Sequence, residues 1–213
     1  MRTDDLVAML ATGPAAVDPN QAARRYAMSI GAGAVGAALL LAMLLGVRSD
    51  LATAVLLPMF WVKLAFVACV LTASLLVVAR LARPGQRLAW TPGALAAPVL
   101  AMWMLAGWVL ARADPVSREQ LFFGETWTSC PYLIAMLSVP AFVAVFWAIR
   151  GLAPTRLRLA GAAAGLLSGA IGALVYCLHC PEQGAPFLGF WYLIGMLIPT
   201  ATGALCGPRL LRW

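Results

Sequence analysis

A chain of 213 residues that is 63% hydrophobic and 11% charged, with a mean hydropathy of +0.89, carries too little polar surface for a water-soluble globule. Its net charge of +7 does not mark a nucleic-acid binder, because the 15 basic residues stand in ones and twos beside apolar runs, without an aromatic-interleaved patch. The runs also lack the short in/out alternation of a membrane β-barrel, so the expected class is all-α: a polytopic membrane protein, a bundle of six transmembrane helices.

Residues 1–25 are mixed in character, and the apolar run that follows is too long for a cleavable signal core. Arg24 and Arg25 therefore read as a cytoplasmic anchor and not as a twin-arginine export signal. Thr3, Asp4 and Asp5 start a short helix with Leu6, Met9 and Leu10 on one face and Gly13-Pro14 at its end. A helix of about ten residues is marginal in water, so this stretch is either a solvated tail or a docking peptide that orders on a partner or on lipid. Asp18-Pro19 reads as the cap and first position of a second helix that runs through Arg24 and Arg25 into the membrane.

Six charge-poor runs follow, each able to supply the roughly 20 apolar residues that cross a bilayer. The expected spans are 26–47, 58–79, 90–111, 131–149, 159–178 and 187–206, within a transmembrane domain 26–208, before a cytoplasmic tail 209–213. Lys63, the one charge inside the second run, is expected near an interface where it can snorkel. Pro98, Pro140 and Pro199 are expected to kink the third, fourth and sixth spans. Gly161, Gly165 and Gly169 give the fifth a small-residue stripe for close helix packing. Trp90, Trp103, Trp108, Trp147 and Trp191 suit interfacial belts or packing.

The loops fix an expected orientation. Arg2, Arg24, Arg25, Arg80, Arg83, Arg87, Arg150, Arg156, Arg158, Arg209 and Arg212 fall on one side, and Arg48, Arg112 and Arg118 on the other. The excess of basic residues puts both termini in the cytoplasm.

All eight acidic residues lie in termini or loops, which argues against an ion-coupled carrier with a carboxylate at mid-membrane. No phosphate loop, zinc motif or nucleophile elbow is present, so neither catalysis nor a required cofactor is expected. Cys69 and Cys206 read as small buried hydrophobes. Cys130, Cys177 and Cys180 fall on the outer side, with His179, the chain's single histidine, between the last two. Such a set can bind a soft metal such as Cu(I) or Zn(II), with Cys130, Cys180 and His179 as ligands. Spacing alone leaves open a structural disulfide or unpaired thiols, a sensor, or the entry site of a small soft-metal or solute carrier. A quinone-linked thiol oxidoreductase relays electrons through two cysteine pairs, and this side has three thiols.

Several motifs resemble one bacterial family. They are Arg2-Thr3-Asp4-Asp5-Leu6, Pro58-Met59-Phe60-Trp61-Val62-Lys63, Arg83-Pro84-Gly85, Cys130-Pro131, Tyr176-Cys177-Leu178-His179-Cys180-Pro181-Glu182, Phe190-Trp191-Tyr192 and Gly207-Pro208-Arg209. The chain is similar over essentially its whole length to the negative regulators of sigma F, six-helix membrane anti-sigma factors. The resemblance implies a multi-pass protein of the bacterial inner membrane, in contact with lipid and not with nucleic acid. Its partner would be an extracytoplasmic-function sigma factor, held away from RNA polymerase by the N-terminal segment with Asp4, Asp5, Leu6, Met9 and Leu10. The resemblance also implies that Cys130 and Cys180 sense heavy metal or oxidative stress, with Cys177 and His179 as accessory residues.

Overall fold

The computed structural model describes residues 2–11, 21–83, 86–152 and 154–212. Asp18-Pro19, Pro84-Gly85 and the side chain of Leu10 lie outside the described residues. All regular structure among the described residues is helical: α1 Thr3–Ala11, α2 Gln21–Leu44, α3 Leu51–Ala54, α4 Pro58–Leu81, α5 Thr91–Arg112, α6 Pro115–Phe123, α7 Cys130–Leu137, α8 Val139–Arg150, α9 Leu157–Tyr176, α10 Ala185–Phe187, a π-helical turn Leu188–Tyr192 and α11 Leu193–Leu210. Five continuous helical segments are long and apolar enough to cross a membrane, and the bent pair α7–α8 makes a sixth. Their outer faces expose Met104 (77%) and Leu205 (78%), an apolar surface suited to lipid.

Helix ends follow local chemistry. α2 stops at Gly46, whose φ of +75° lets its N–H and that of Leu45 close on the Leu41 carbonyl at 2.8 and 2.9 Å. Pro58 and Pro115 each sit in the first turn of α4 and α6, where a missing N–H costs nothing. α6 fills the third connection, which the charge pattern had left without structure. Its signal, Asp114 followed by Pro115, is present in the sequence.

α9 is the central helix: 72% of its apolar window is buried, against 11% for α5 at the edge. It lies against α11 at backbone distance. A Cβ on Gly161 would overlap the Gly203 carbonyl, one on Gly165 the Pro199 carbonyl, and one on Gly169 would sit 2.9 Å from the Met196 carbonyl. The glycine stripe is thus a packing seam. On another face, a Cβ on Gly172 would lie 2.8 Å from the Ser138 nitrogen, where α7 and α8 meet at a 43° bend.

That bend is the expected kink at Pro140, which cannot donate into the preceding turn. α5 and α11 continue unbroken through Pro98 and Pro199. Two buried clusters lie at opposite ends of the bundle. One joins Leu41, Phe66, Cys130, Tyr176 and Tyr192; the other joins Val77, Leu81, Ile149, Ala160 and Leu211. The start of α4 shares one cluster with the end of α9, and the end of α4 shares the other with the start of α9, so these two helices run in opposite directions.

Candidate functional site: a buried cysteine pair

Cys130 opens α7, directly before Pro131. Cys177 and Cys180 follow the end of α9, where the chain makes one further turn: the Cys177 N–H bonds the Ala173 carbonyl at 3.1 Å and the Cys180 N–H bonds that of Tyr176 at 3.0 Å. Pro181 then ends the turn. All three cysteines are fully buried, with 0% exposure. Their surroundings differ. The Cys177 thiol donates back to the Ala173 carbonyl at 3.2 Å. Cys180 faces Cys130 instead, and the two thiols interact directly. The Tyr176 hydroxyl reaches both sulfurs. Tyr192, also fully buried, places a hydroxyl without a well-formed hydrogen bond alongside them.

Two cations hold the turn. Lys63 Nζ donates to the carbonyls of Cys180 at 2.9 Å and Glu182 at 3.1 Å, and lies 5.2 Å from the Tyr192 ring centre. Arg48 Nη1 donates to the Cys180 carbonyl at 3.2 Å, while its Nε and Nη2 grip Asp50 at 2.7 and 2.6 Å. The expectation that Lys63 snorkels to an interface is corrected. It is 0% exposed and points into the bundle, because the loop after α9 offers two carbonyls at its tip. Glu182 reaches away from the pair: its carboxylate accepts the Glu125 N–H at 2.8 Å, in space that only a glycine at position 124 leaves open.

The Cys130 thiol donating to it, supported by the Lys63 ammonium and the Glu182 N–H, outweighs burial and lowers the Cys180 thiol from 9.0 to about 6. A thiol with a lowered pKa facing a second thiol is an arrangement that two-electron oxidation converts to a disulfide.

The metal set read from the sequence is not assembled. His179 turns from the sulfurs and donates its Nδ1 to the Gly46 carbonyl at 2.9 Å, its ring 5.8 Å from Tyr176. Among the described residues no three His, Cys, Asp or Glu side chains come together as a metal group. The other cysteines depart from expectation too. Cys69 is exposed on the outer face of α4, in a shallow groove with Ala97 and Pro98 of α5, and Cys206 is half-buried.

At the opposite end, Arg25 near the start of α2 donates to the Trp147 carbonyl of α8 at 3.0 Å, with its guanidinium 4.5 Å above the Trp147 ring. In α1, Asp4 and Asp5 lie in the first turn, where the Asp5 carboxylate accepts the Arg2 N–H at 3.2 Å. Leu6 and Met9 are exposed there.

The lysine, the second cation and the two tyrosines were missed by sequence reasoning. Lys63 alone carried a signal, as the one charge within the apolar run 51–78.

A helical bundle of five or six segments long and apolar enough to cross a membrane, with a buried thiol pair at one end and an acidic-started helix before the first long segment, defines an all-helical protein of membrane-compatible type with an N-terminal appendage. The chain belongs to the family described as negative regulator of sigma F, whose model matches residues 10–213. It is 61% identical over 213 residues, the whole of both chains, to the probable anti-sigma-F factor NrsF of Azospira oryzae (strain ATCC BAA-33 / DSM 13638 / PS). It is 41% identical over 217 aligned positions, again the whole of both, to the anti-sigma-F factor NrsF of Caulobacter vibrioides (strain NA1000 / CB15N). No solved structure matches.

Proposed function

We propose that this protein is a membrane-bound anti-sigma factor, non-enzymatic, that sequesters an extracytoplasmic-function sigma factor through its cytoplasmic N-terminal segment and releases it when Cys130 and Cys180 are oxidised. Full-length similarity to two proteins named as anti-sigma-F factors supports the partner class. The observation that carries the trigger is the meeting of the two sulfurs from the ends of different membrane-length helices. Both termini lie in the cytoplasm and the cysteine end faces outward, in the inner membrane of a bacterium, where thiols meet an oxidising compartment.

Oxidation is preferred to metal ligation because His179 is engaged elsewhere. A two-electron oxidant removes both thiol hydrogens and joins the outer ends of α7 and α9 by one bond. α7 continues through the bend into α8, and the end of α8 holds Arg25 through Trp147. Arg25 adjoins the segment that binds sigma, with Asp4, Asp5, Leu6, Met9 and Leu10 as contacts. A difference of about 1.4 kcal/mol between the two states changes sigma affinity tenfold.

The test is affinity purification of the full-length protein in mild detergent beside a version without residues 1–20, with mass spectrometry of what co-elutes, before and after peroxide. A sigma factor should elute only with the intact chain, and less of it after peroxide. The Cys130→Ser, Cys180→Ser double variant should retain it throughout. Absence of any sigma factor from the intact chain overturns the anti-sigma function. Normal release from the double variant overturns the trigger, and release by cadmium without disulfide formation replaces oxidation by ligation.

A further inference from the structure

Lys63 has no part in the redox step above, yet its charge is buried without an ionic partner. It is 0% exposed, and burying an ammonium is costly unless an anion or a full set of hydrogen bonds compensates it. Two of its three donors are used, on the carbonyls of Cys180 and Glu182, and the Tyr192 ring lies beside it. Each of these groups is neutral. The Glu182 carboxylate is turned to Glu125, and Asp50 is paired with Arg48 at 2.6 Å, the ion pair found among the described residues.

The remaining candidates for a negative charge are the groups around Cys180. They are Cys130 of α7, Tyr176 at the end of α9, Cys177 just after it, and Tyr192 of the π turn, with Arg48 as the second cation. Cys177 uses its proton on the Ala173 carbonyl and so remains a thiol. Cys130 belongs to α7, whereas Cys180 lies in the turn whose own carbonyls Lys63 and Arg48 hold. The Cys180 sulfur lies against the Cys130 thiol and the Glu182 N–H, surroundings that suit an anion.

We propose that Lys63 is the positioning residue of the cysteine pair: its buried ammonium holds Cys180 as a thiolate, so that Cys180 attacks the oxidant and Cys130 resolves the product. The inference rests on the dithiol trigger and names its order of events. With a hydroperoxide as oxidant, the Cys180 thiolate attacks the terminal oxygen, the O–O bond breaks, and the departing alkoxide takes a proton from water to become an alcohol. Cys180 is then a sulfenic acid. The Cys130 sulfur attacks it, the S–O bond breaks as the S–S bond forms, and the leaving hydroxide takes the Cys130 proton as water. Two thiols have lost two electrons and one hydroperoxide has gained them.

Thiolate absorbance in the far ultraviolet reads this without needing a reagent to reach the buried sulfur. Full-length protein in detergent is titrated, with the Cys180→Ser variant subtracted. The same difference is measured in a Lys63→Gln background, because glutamine keeps an N–H donor and removes the charge. Size-exclusion profiles and a wild-type titration of the remaining thiols serve as folding controls. The expected midpoint for Cys180 is about 6 in the wild type, raised by at least about one unit, or tenfold in ionisation, by Lys63→Gln. Peroxide should also form the disulfide about tenfold more slowly in that variant near pH 5, below both midpoints, and only about twofold more slowly at neutral pH. A wild-type midpoint at the ordinary thiol value, or one that Lys63→Gln leaves in place, overturns the role of Lys63 while leaving the sigma purification untouched. Conversely, a shifted midpoint with no effect of the cysteines on sigma release keeps the Lys63–Cys180 pair and removes the trigger.

Discussion

The α9–α11 seam and the cysteine turn are both built on α9, and they are held by opposite kinds of contact. Along the seam, glycine backbones meet carbonyls with no side chain between them, so no rotamer can relax a change. At the turn, the ties are hydrogen bonds from Lys63 and Arg48, long side chains that can follow a displaced carbonyl. A signal that alters the turn therefore meets a compliant end of a helix whose middle is fixed. The difference sets an expectation: a change at the turn should displace α7 and α4 before α11.

The largest break in that comparison is Gly165→Leu. A Cβ there meets the Pro199 carbonyl backbone, which cannot turn aside, so the seam must open at a cost of about 3 kcal/mol or more. Gly31→Leu, at a position with nothing within 4 Å, should change stability by less than about 0.5 kcal/mol. Thermal unfolding of the two variants in one detergent checks both, and equal losses would remove the contrast.

The next effect concerns the turn. The folded Cys180 thiol is held at about 6, below the 9.0 of an unfolded chain, so its contribution to stability is complete above pH 9.0. It falls as pH drops and is gone below about 6. The difference in unfolding midpoint between wild type and Cys180→Ser should thus grow with rising pH across this window. A flat difference would mean that the sulfur stays protonated.

The smallest effect lies at the far end. Arg25→Ala removes one cation–π contact and one hydrogen bond to Trp147, about 1 kcal/mol in a half-buried setting. Stability should barely change, whereas peroxide should release less sigma factor although the disulfide still forms. Release at the wild-type level would take α8 out of the path.

Much of the fold was legible because lipid imposes one strong rule: long uncharged runs become helices. Pro140 was legible as the site of a bend, whereas Pro98 stands inside an unbroken helix. A proline frees one carbonyl wherever it stands, and only tertiary packing decides whether the helix bends there. At Pro140 the bend brings Ser138 and Ile134 onto Gly172, whereas α5 at the edge has little packing to redirect it. The π turn Leu188–Tyr192, which sets the Tyr192 ring beside Lys63, left no mark in the sequence. In the site, Cys130 and Cys180 were legible from the motifs of a known family. Which sulfur of the Cys177–Cys180 segment would meet Cys130 depended on the turn after Tyr176, and the engagement of His179 depended on a carbonyl 133 positions away. Neither is a pattern of spacing.

Both sulfurs are sealed from solvent, with no exposed area on Cys130 or Cys180. Burial of this kind acts as a sieve. Small uncharged oxidants pass through transient gaps, whereas bulky thiols and disulfides wait for the turn to open. The opening rate, and not the chemistry at the sulfur, then sets the pace for large reagents. On the proposed trigger, brief encounters with bulky thiols would leave the pair unchanged, whereas a sustained flux of peroxide would accumulate as a lasting disulfide.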